Sequence, residues 1–246
     1  MKARERIIRK INKTIEKRRR EGSSESGNGV LGRLLEEENL PDNEVADFII
    51  NLLFAGSETT AKTMLFAVYF LTQCPVAMQQ LQDEQDSLRG DCNGVGMLAW
   101  QDYKAMSFTM CVIDEALRLG GIAIWLMREA KEEVVYQDYV IPKGSFVVPF
   151  LSAVHLDENL YKDATTFNPW RWMDPAKSRG ARFCPGAELS RLQIALFLHY
   201  FVTTYTWSQL KEDRMSFFPS ARLVNGFQIR LTKRHVTDST LPTQNC

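Results

Sequence analysis

The sequence has few cysteines, and they form no recognisable pattern. There are five in 246 residues, an odd number, widely scattered and without a Cys-x-x-Cys pair: Cys74, Cys92, Cys111, Cys184 and Cys246. This spacing excludes a disulfide framework and favours a reducing compartment.

The chain also lacks a net charge, because 30 Lys and Arg residues balance 30 Asp and Glu residues. No overall field therefore favours nucleic acid or an acidic membrane. The balance is uneven, since residues 2–20 hold ten basic side chains against Glu5 and Glu16. The same segment carries Ile7, Ile8, Ile11 and Ile15 at helical spacing. We interpret it as a packed helix with a solvated cationic back; a partner helix or a membrane surface is the alternative use of its apolar stripe.

Long uninterrupted apolar runs and a signal peptide are likewise missing. Two uncharged windows approach spanning length, residues 63–82 and 192–210, but Pro75 interrupts the first and Gln193 and His199 the second. Buried helices explain both windows better than a bilayer does. The basic N-terminal helix pattern does not resemble a secretory signal.

The remaining pattern predicts a mainly α-helical protein with a small antiparallel sheet and no internal repeat. A loop is expected at 21–29 and another at 91–96, and the chain from Leu151 to Pro185 is expected to be mostly irregular. Three short β-branched and aromatic runs predict an antiparallel meander at 134–136, 139–141 and 146–148, and a further strand is predicted at 227–231. Helices are predicted at 30–37, from 41 to the Cys74-Pro75 break, from there to about 88, at 107–119, and from 189.

The stretch G-A-R-F-C-P-G-A-E-L places Cys184 just ahead of the last long helix. The helix dipole and the flanking Arg179 and Arg182 favour thiolate over thiol, which predicts a nucleophile or a metal ligand. Pro185 and Gly186 tighten the turn and remove bulk, as a flat ligand against the backbone would require. The alternative is a small buried cysteine before a core helix.

A second group of candidate residues lies in the middle of the helix predicted from residue 41. Gly56 costs about 1 kcal/mol relative to alanine in a helix interior, so we expect it where something approaches the backbone. Glu58 and Thr59 then place a carboxylate and a hydroxyl in an apolar stretch. Such a pair can deliver protons, whereas an exposed polar face with an incidental glycine is the alternative.

Glu115 and Arg118, three residues apart, share a helix face and can form an ion pair. An exposed pair adds well under ~1 kcal/mol, and a buried pair needs further partners to offset its desolvation. The run F-N-P-W-R supplies one candidate partner, Arg171.

Together, and in this order, these motifs resemble the C-terminal half of a cytochrome P450: Gly-x-x-Thr, Glu-x-x-Arg, Phe-x-Pro-x-Arg and Gly-x-Arg-x-Cys-x-Gly. The sequence around these motifs, including D-Y-V-I-P-K-G and F-L-S-A-V-H-L-D, is similar to that of the plant steroid side-chain (carbon 22) hydroxylases of brassinosteroid biosynthesis. The match runs from the basic helix to Leu231. It implies one partial P450 domain over 1–246, with segments 1–40, 41–74, 75–231 and a tail at 232–246.

The resemblance implies a haem-binding role for five residues. Cys184 would be the thiolate ligand of the iron of haem b, Arg182 and Arg128 would contact the propionates, and Gly180 and Gly186 would belong to the haem loop. It also implies that Gly56 opens an oxygen groove beside Glu58 and Thr59, and that Glu115, Arg118 and Arg171 form a buried structural triad. The implied substrate pocket includes residues 48–55, 122–125 and 224–226.

The resemblance further implies a steroid substrate, an NADPH-dependent flavoprotein reductase as electron donor, and the cytosolic face of the endoplasmic reticulum membrane. No nucleic-acid partner is expected, and the chain as written shows no anchor. Lys177 stands where the family usually has a phenylalanine. This replacement is expected to weaken haem retention. Because members of the family are about twice as long, the alternative is a truncated, catalytically inactive product that acts at most as a binding protein.

Overall fold

A computed structural model describes residues 2–21, 29–36, 40–90, 98–173, 184–217 and 221–234. The chain divides into two compact units, Met1–Thr59 and Thr60–Cys246. The predicted loops at 21–29 and 91–96 lie almost entirely outside the described residues.

The first unit is built from helices α1 (Lys2–Glu21), α2 (Val30–Glu36) and the first part of α3 (Asp42–Gln73). Ile11 and Ile15 of α1 are buried against Val45 and Ala46 of α3, with flanking leucines and isoleucines around them. The interpretation of α1 as a packed amphipathic helix is therefore confirmed.

Helix α3 begins and ends where local chemistry requires. Pro41 precedes it, and Asp42 and Glu44 in its first turn suit the positive end of a helix. It ends before Cys74, because Pro75 cannot donate a backbone hydrogen bond and instead opens α4 (Pro75–Gly90). In the described ranges no single helix could cross a membrane by length and apolarity; only α3 and α4 taken together reach that measure, and they are bent by 116°.

The second unit packs four helical segments around one core: the remainder of α3, α4, α6 (Ser107–Gly120) and α8 (Ala187–Thr204). Each of the four segments contributes at least one fully buried side chain. These include Phe66 of α3, Leu81 of α4, Ile113 of α6 and Leu198 of α8. The short α5 (Trp100–Ala105) and α7 (Leu151–His155) and a 3₁₀ turn at Pro169–Trp172 surround them. The predicted helical core is confirmed.

A buried polar network joins α4, α6 and α8. Glu84 accepts hydrogen bonds from the backbone N–H groups of Phe108 (2.7 Å) and Thr109 (2.9 Å), which caps the first turn of α6. The Gln85 side chain donates to the Thr109 hydroxyl (2.5 Å) and accepts from His199 Nδ1 (2.7 Å). The His199 proton therefore lies on Nδ1 if the ring is neutral.

Within the described residues, the strands form four two-stranded antiparallel pairs. The strands are β1 (Arg128–Glu129), β2 (Val134–Tyr136), β3 (Tyr139–Ile141), β4 (Phe146–Val147), β5 (Tyr205–Gln209), β6 (Met215–Ser216), β7 (Arg222–Leu223) and β8 (Ile229–Lys233). The pairs are β1 with β4, β2 with β3, β5 with β8 and β6 with β7.

The predicted three-stranded meander is wrong in its last strand. β2 and β3 pair as expected, but β4 pairs with β1, with Arg128 opposite Val147. Pro142 has no N–H to continue the ladder, and Gly144, at φ +83°, turns the chain away. The Gly144 N–H then donates to the Ala130 carbonyl (2.8 Å), which leads the chain back to β1.

Candidate functional site

Cys184 occupies the turn that leads into α8. The Ala187 N–H donates to the Cys184 carbonyl (3.1 Å) and the Ser190 N–H to the Gly186 carbonyl (2.9 Å), so the turn passes directly into the helix. The thiol is free and exposed. The alternative of a small buried cysteine is therefore excluded, and the sulfur stands at the positive end of α8.

The surroundings of Cys184 fit a flat, apolar, metal-bearing group. A Cβ built on Gly186 would meet no other atom within 4 Å, which leaves open space beside the turn. Leu189, three residues further on, is 62% exposed. An accessible soft sulfur ligand, open space and nearby apolar surface match what a porphyrin with a thiolate-bound iron requires.

The part of α3 in the second unit reaches the first turns of α8. The buried Thr60 hydroxyl donates to the Ser190 hydroxyl (3.1 Å). The sequence motifs do not predict a role for Thr60 or Ser190, although they do predict one for the adjacent Thr59. The adjacent threonines Thr59 and Thr60 indicate a hydroxyl group at this point of the helix, but the sequence does not indicate which of the two hydroxyls is buried.

The candidate residues just before Thr60 lie on an open stretch of α3. Gly56 has no atom within 4 Å of a built Cβ, and residues 51–57 are exposed on every side of the helix. The Thr59 hydroxyl donates to the Ala55 carbonyl (2.6 Å). Glu58 is half-buried and Thr59 exposed, so the burial expected of this acid is only partial.

Glu115 and Arg118 form a buried two-point ion pair on α6. Arg118 Nη2 lies 2.7 Å from Glu115 Oε1, and Nε lies 3.0 Å from Oε2. Both side chains are almost fully excluded from solvent. The exposed-pair alternative is therefore excluded, and the desolvation of the pair must be offset by further partners.

Glu115 has three such partners. Arg171 Nε donates to Oε1 (3.1 Å), the Trp172 indole N–H donates to Oε2 (2.8 Å), and the Asn168 backbone N–H donates to Oε1 (3.0 Å). The structure thus brings Glu115, Arg118 and Arg171 together. Trp172 and Asn168 were missed in the sequence, because no spacing rule marks a tryptophan as a hydrogen-bond donor to one particular carboxylate.

Arg118 is anchored to the chain that returns after α7. Its Nη1 donates to the carbonyls of His155 and Ala164, both at 2.6 Å, and its guanidinium lies 5.0 Å from the centre of the Tyr161 ring. The irregular segment between α7 and the 3₁₀ turn is therefore fixed to α6 by charge-assisted hydrogen bonds.

The environment lowers the pKa of Glu115. Desolvation acts to raise it, but the hydrogen bonds from Arg118, Asn168 and Trp172 and the charge of Arg118 together outweigh burial. Burial and the same guanidinium lower the pKa of His155, so that ring is held neutral. The site is thus arranged around one ionised carboxylate.

This lowered pKa predicts a pH dependence of stability. A carboxylate whose pKa is lower in the folded chain contributes stability that is fully present above its ordinary value of 4.5 and is lost as pH falls through the lowered value. We expect the difference in unfolding free energy between the native chain and Glu115→Gln to be constant near neutrality and to shrink below about pH 4.5. Urea unfolding at a series of pH values measures it, and an undiminished difference at acid pH would contradict the assignment.

The other predicted site residues are dispersed. Arg128 lies in β1, is exposed, and donates to the Met127 carbonyl (3.0 Å). Gly180, Arg182 and Lys177 lie outside the described residues. In the first unit Phe48 and Phe54 of the predicted pocket are exposed, and in the second unit Trp125 and Val224 are exposed.

Comparison with known proteins identifies the family. The family model described as cytochrome P450 matches residues 1–229. The chain therefore belongs to the cytochrome P450 family, as its motifs predicted, and membership implies a haem-thiolate iron cofactor.

Plant proteins are among its relatives. The chain is 46% identical over 244 residues to an abietadienol/abietadienal oxidase of Pinus taeda, covering 95% of this chain and 50% of that protein. It is 38% identical over 244 residues to a steroid (22S)-hydroxylase of Oryza sativa subsp. indica, covering 92% and 47%. The chain thus spans about half the length of the curated relatives it matches.

A solved structure supports the same fold. The structure of retinoic acid bound cyanobacterial CYP120A1 superimposes with a TM-score of 0.82 at 26% sequence identity, covering 95% of this chain and 57% of that one. The predicted partial P450 fold is confirmed.

Proposed function

We propose that this chain is the haem-binding portion of a monooxygenase that inserts one oxygen atom into an apolar polycyclic substrate. The observation that carries the proposal is Cys184: a free, exposed thiol in the turn before α8, inside a sequence matched to the P450 family over residues 1–229. The exposed sulfur is what a thiolate ligand of iron needs.

Cys184 is the proposed axial ligand of haem b, and Gly186 leaves the room a flat macrocycle needs. Arg128 and Arg182 are proposed to hold the propionates, since a planar guanidinium binds carboxylates at two points. Gly180 is proposed to belong to the same loop. When bound, the haem would supply the reductive activation of O₂.

Glu58 and Thr59 are proposed to hold and move protons during that chemistry. The acid is half-buried, and the Thr59 hydroxyl already donates to the Ala55 carbonyl, next to the open position at Gly56. Proton transfer by a positioned side chain contributes typically ~10²–10⁴-fold to a rate. Glu115, Arg118 and Arg171 are proposed to support the site structurally.

Two substrate classes follow from the relatives. A steroid side chain, as in brassinosteroid biosynthesis, fits the similarity to the steroid (22S)-hydroxylase. An abietadienol- or abietadienal-like alcohol or aldehyde is the second candidate, because identity to the Pinus taeda oxidase is higher, at 46%. We propose that an NADPH-dependent flavoprotein reductase supplies the electrons and that the full protein works at the endoplasmic reticulum membrane.

The test is thiolate ligation followed by turnover. The chain is reconstituted with haem and reduced under carbon monoxide, and we expect the far red-shifted Soret band that a thiolate ligand produces. Cys184→Ser should abolish this band completely, whereas Cys74→Ser, at another free cysteine, should leave it unchanged. Haem uptake without the band in the native chain would refute the role of Cys184.

Turnover is then measured with reductase and NADPH on a steroid and on abietadienol in parallel. Product from one substrate alone selects between the two classes. Oxidation of neither by a chain that shows the thiolate band would contradict both proposed substrate classes.

A further inference from the structure

Helix α1 presents an unbroken row of cations on one face. The row is set by spacings of three and four residues, so its members point the same way from the helix. All of them are exposed. They are Lys2, Arg6, Arg9, Lys13, Lys17 and Arg20, and we call them the cationic face.

The opposite side of α1 is fixed to the first unit. Ile11 and Ile15, half a helical turn away from Arg9 and Lys13, are buried in its core. Most of the apolar stripe is therefore used inside the protein, although Ile7 at its N-terminal end is 42% exposed. The charged side of α1 faces outward.

Two ion pairs hold α1 in this orientation. Arg4 Nη2 lies 2.5 Å from Asp47 Oδ1, and Arg19 Nη2 lies 2.6 Å from Asp42 Oδ1. Each pair is exposed and therefore weak, but the two pairs lie near the two ends of the helix. Neither of these arginines is a member of the cationic face.

The two acids of α1 are not members of the row. Glu5 and Glu16 lie at its edge, and the arginine four residues after each one donates from Nε to its backbone carbonyl, at 3.3 Å for Arg9 and 3.2 Å for Arg20. With ten basic and two acidic side chains in residues 2–20, the segment carries a formal charge of +8. The whole chain is neutral, so this positive field is local.

We propose that the cationic face binds an anionic phospholipid surface. A 20-residue helix is roughly 30 Å long, so its cations form a straight row that meets a plane of phosphates along its whole length. A single small anion would instead need cations that converge on one point. Attraction of Lys and Arg to an anionic leaflet requires no apolar insertion, which suits a helix whose apolar side is largely buried.

The proposal does not rest on haem binding or turnover, so it can fail or succeed separately from the proposed function. It also predicts strong salt dependence, because attraction between solvated charges is screened within about 8 Å at physiological ionic strength.

The experiment is co-sedimentation of the full 246-residue chain with vesicles. Phosphatidylcholine vesicles containing about one third phosphatidylserine are compared with pure phosphatidylcholine at low and high salt. The triple variant Arg6→Gln, Lys13→Gln and Arg20→Gln is expected to lose roughly 100-fold in affinity for the anionic vesicles. The control, Lys104→Gln, Lys143→Gln and Lys211→Gln, removes the same charge from exposed sites elsewhere and is expected to bind within about threefold of the native chain.

Circular dichroism of both variants establishes that the helices are retained. Equal binding to neutral and anionic vesicles, equal loss in the control, or binding that survives high salt would each overturn the proposal. Binding to an acidic polypeptide or to nucleic acid without binding to anionic vesicles would overturn it as well.

Discussion

Replacing Glu115 with glutamine is expected to lower the free energy of unfolding by about 3–5 kcal/mol. Glutamine keeps the size of the side chain, so no cavity forms, but the Arg118 guanidinium then remains buried without a counter-ion. The amide also presents an N–H group toward donors such as the Trp172 indole and Arg171. Both effects act on the segment that α6 holds in place.

Asp114→Asn is the matched control, since it removes a carboxylate from the neighbouring position on α6. Asp114 pairs with Arg191 of α8, but that pair is partly exposed to solvent. We expect a loss of about 1 kcal/mol or less. Urea unfolding of both variants at neutral pH measures the difference between them. Equal decreases in the free energy of unfolding would contradict the prediction that the buried Glu115 pair contributes more than the partly exposed Asp114 pair.

Replacing Phe66 with alanine is expected to cost about 3–5 kcal/mol. The Phe66 ring is fully buried in the core of the second unit. Leu65→Ala, at the adjacent but exposed position on α3, is the control and should cost much less. Thermal or urea unfolding gives both values.

The Phe66 ring also explains a glycine near the end of α6. A Cβ built on Gly120 would lie 2.7 Å from Phe66 Cδ2, so Gly120→Ala alone should cost about 1–3 kcal/mol through overpacking. In the Phe66→Ala background the same substitution should become neutral or stabilising by up to about 1 kcal/mol, because alanine is the better helix former. Additive effects would refute this steric coupling.

The helices could be predicted largely from local signals. The Pro75 break between α3 and α4 follows from the missing N–H of proline, and the burial of Ile11 and Ile15 follows from their spacing. The pairing of β4 with β1 could not be predicted in this way. Short strands carry little register information, and a partner almost twenty residues away in sequence is chosen by the turn at Gly144.

The candidate site likewise has features that local sequence signals predict and features that they do not. Glu-x-x-Arg spacing alone places Glu115 and Arg118 on one helix face, and the residues around Cys184 alone predict a thiolate before a helix. Whether each of these groups is buried or exposed depends on the tertiary structure. Glu115 and Arg118 are buried, whereas Cys184 is exposed.

By itself the sequence determined which segments are helical, which residue types could ligate a metal or carry charge, and which family the motifs resemble. These properties follow from spacing and side-chain chemistry within a few residues. Only the tertiary structure decided that Trp172 and the Asn168 backbone complete the Glu115 cluster, that Gln85 meets His199, and that the cations of α1 face outward. The physical reason is that burial and hydrogen-bond partners depend on segments brought together from distant parts of the chain, and no local pattern encodes which of them will meet.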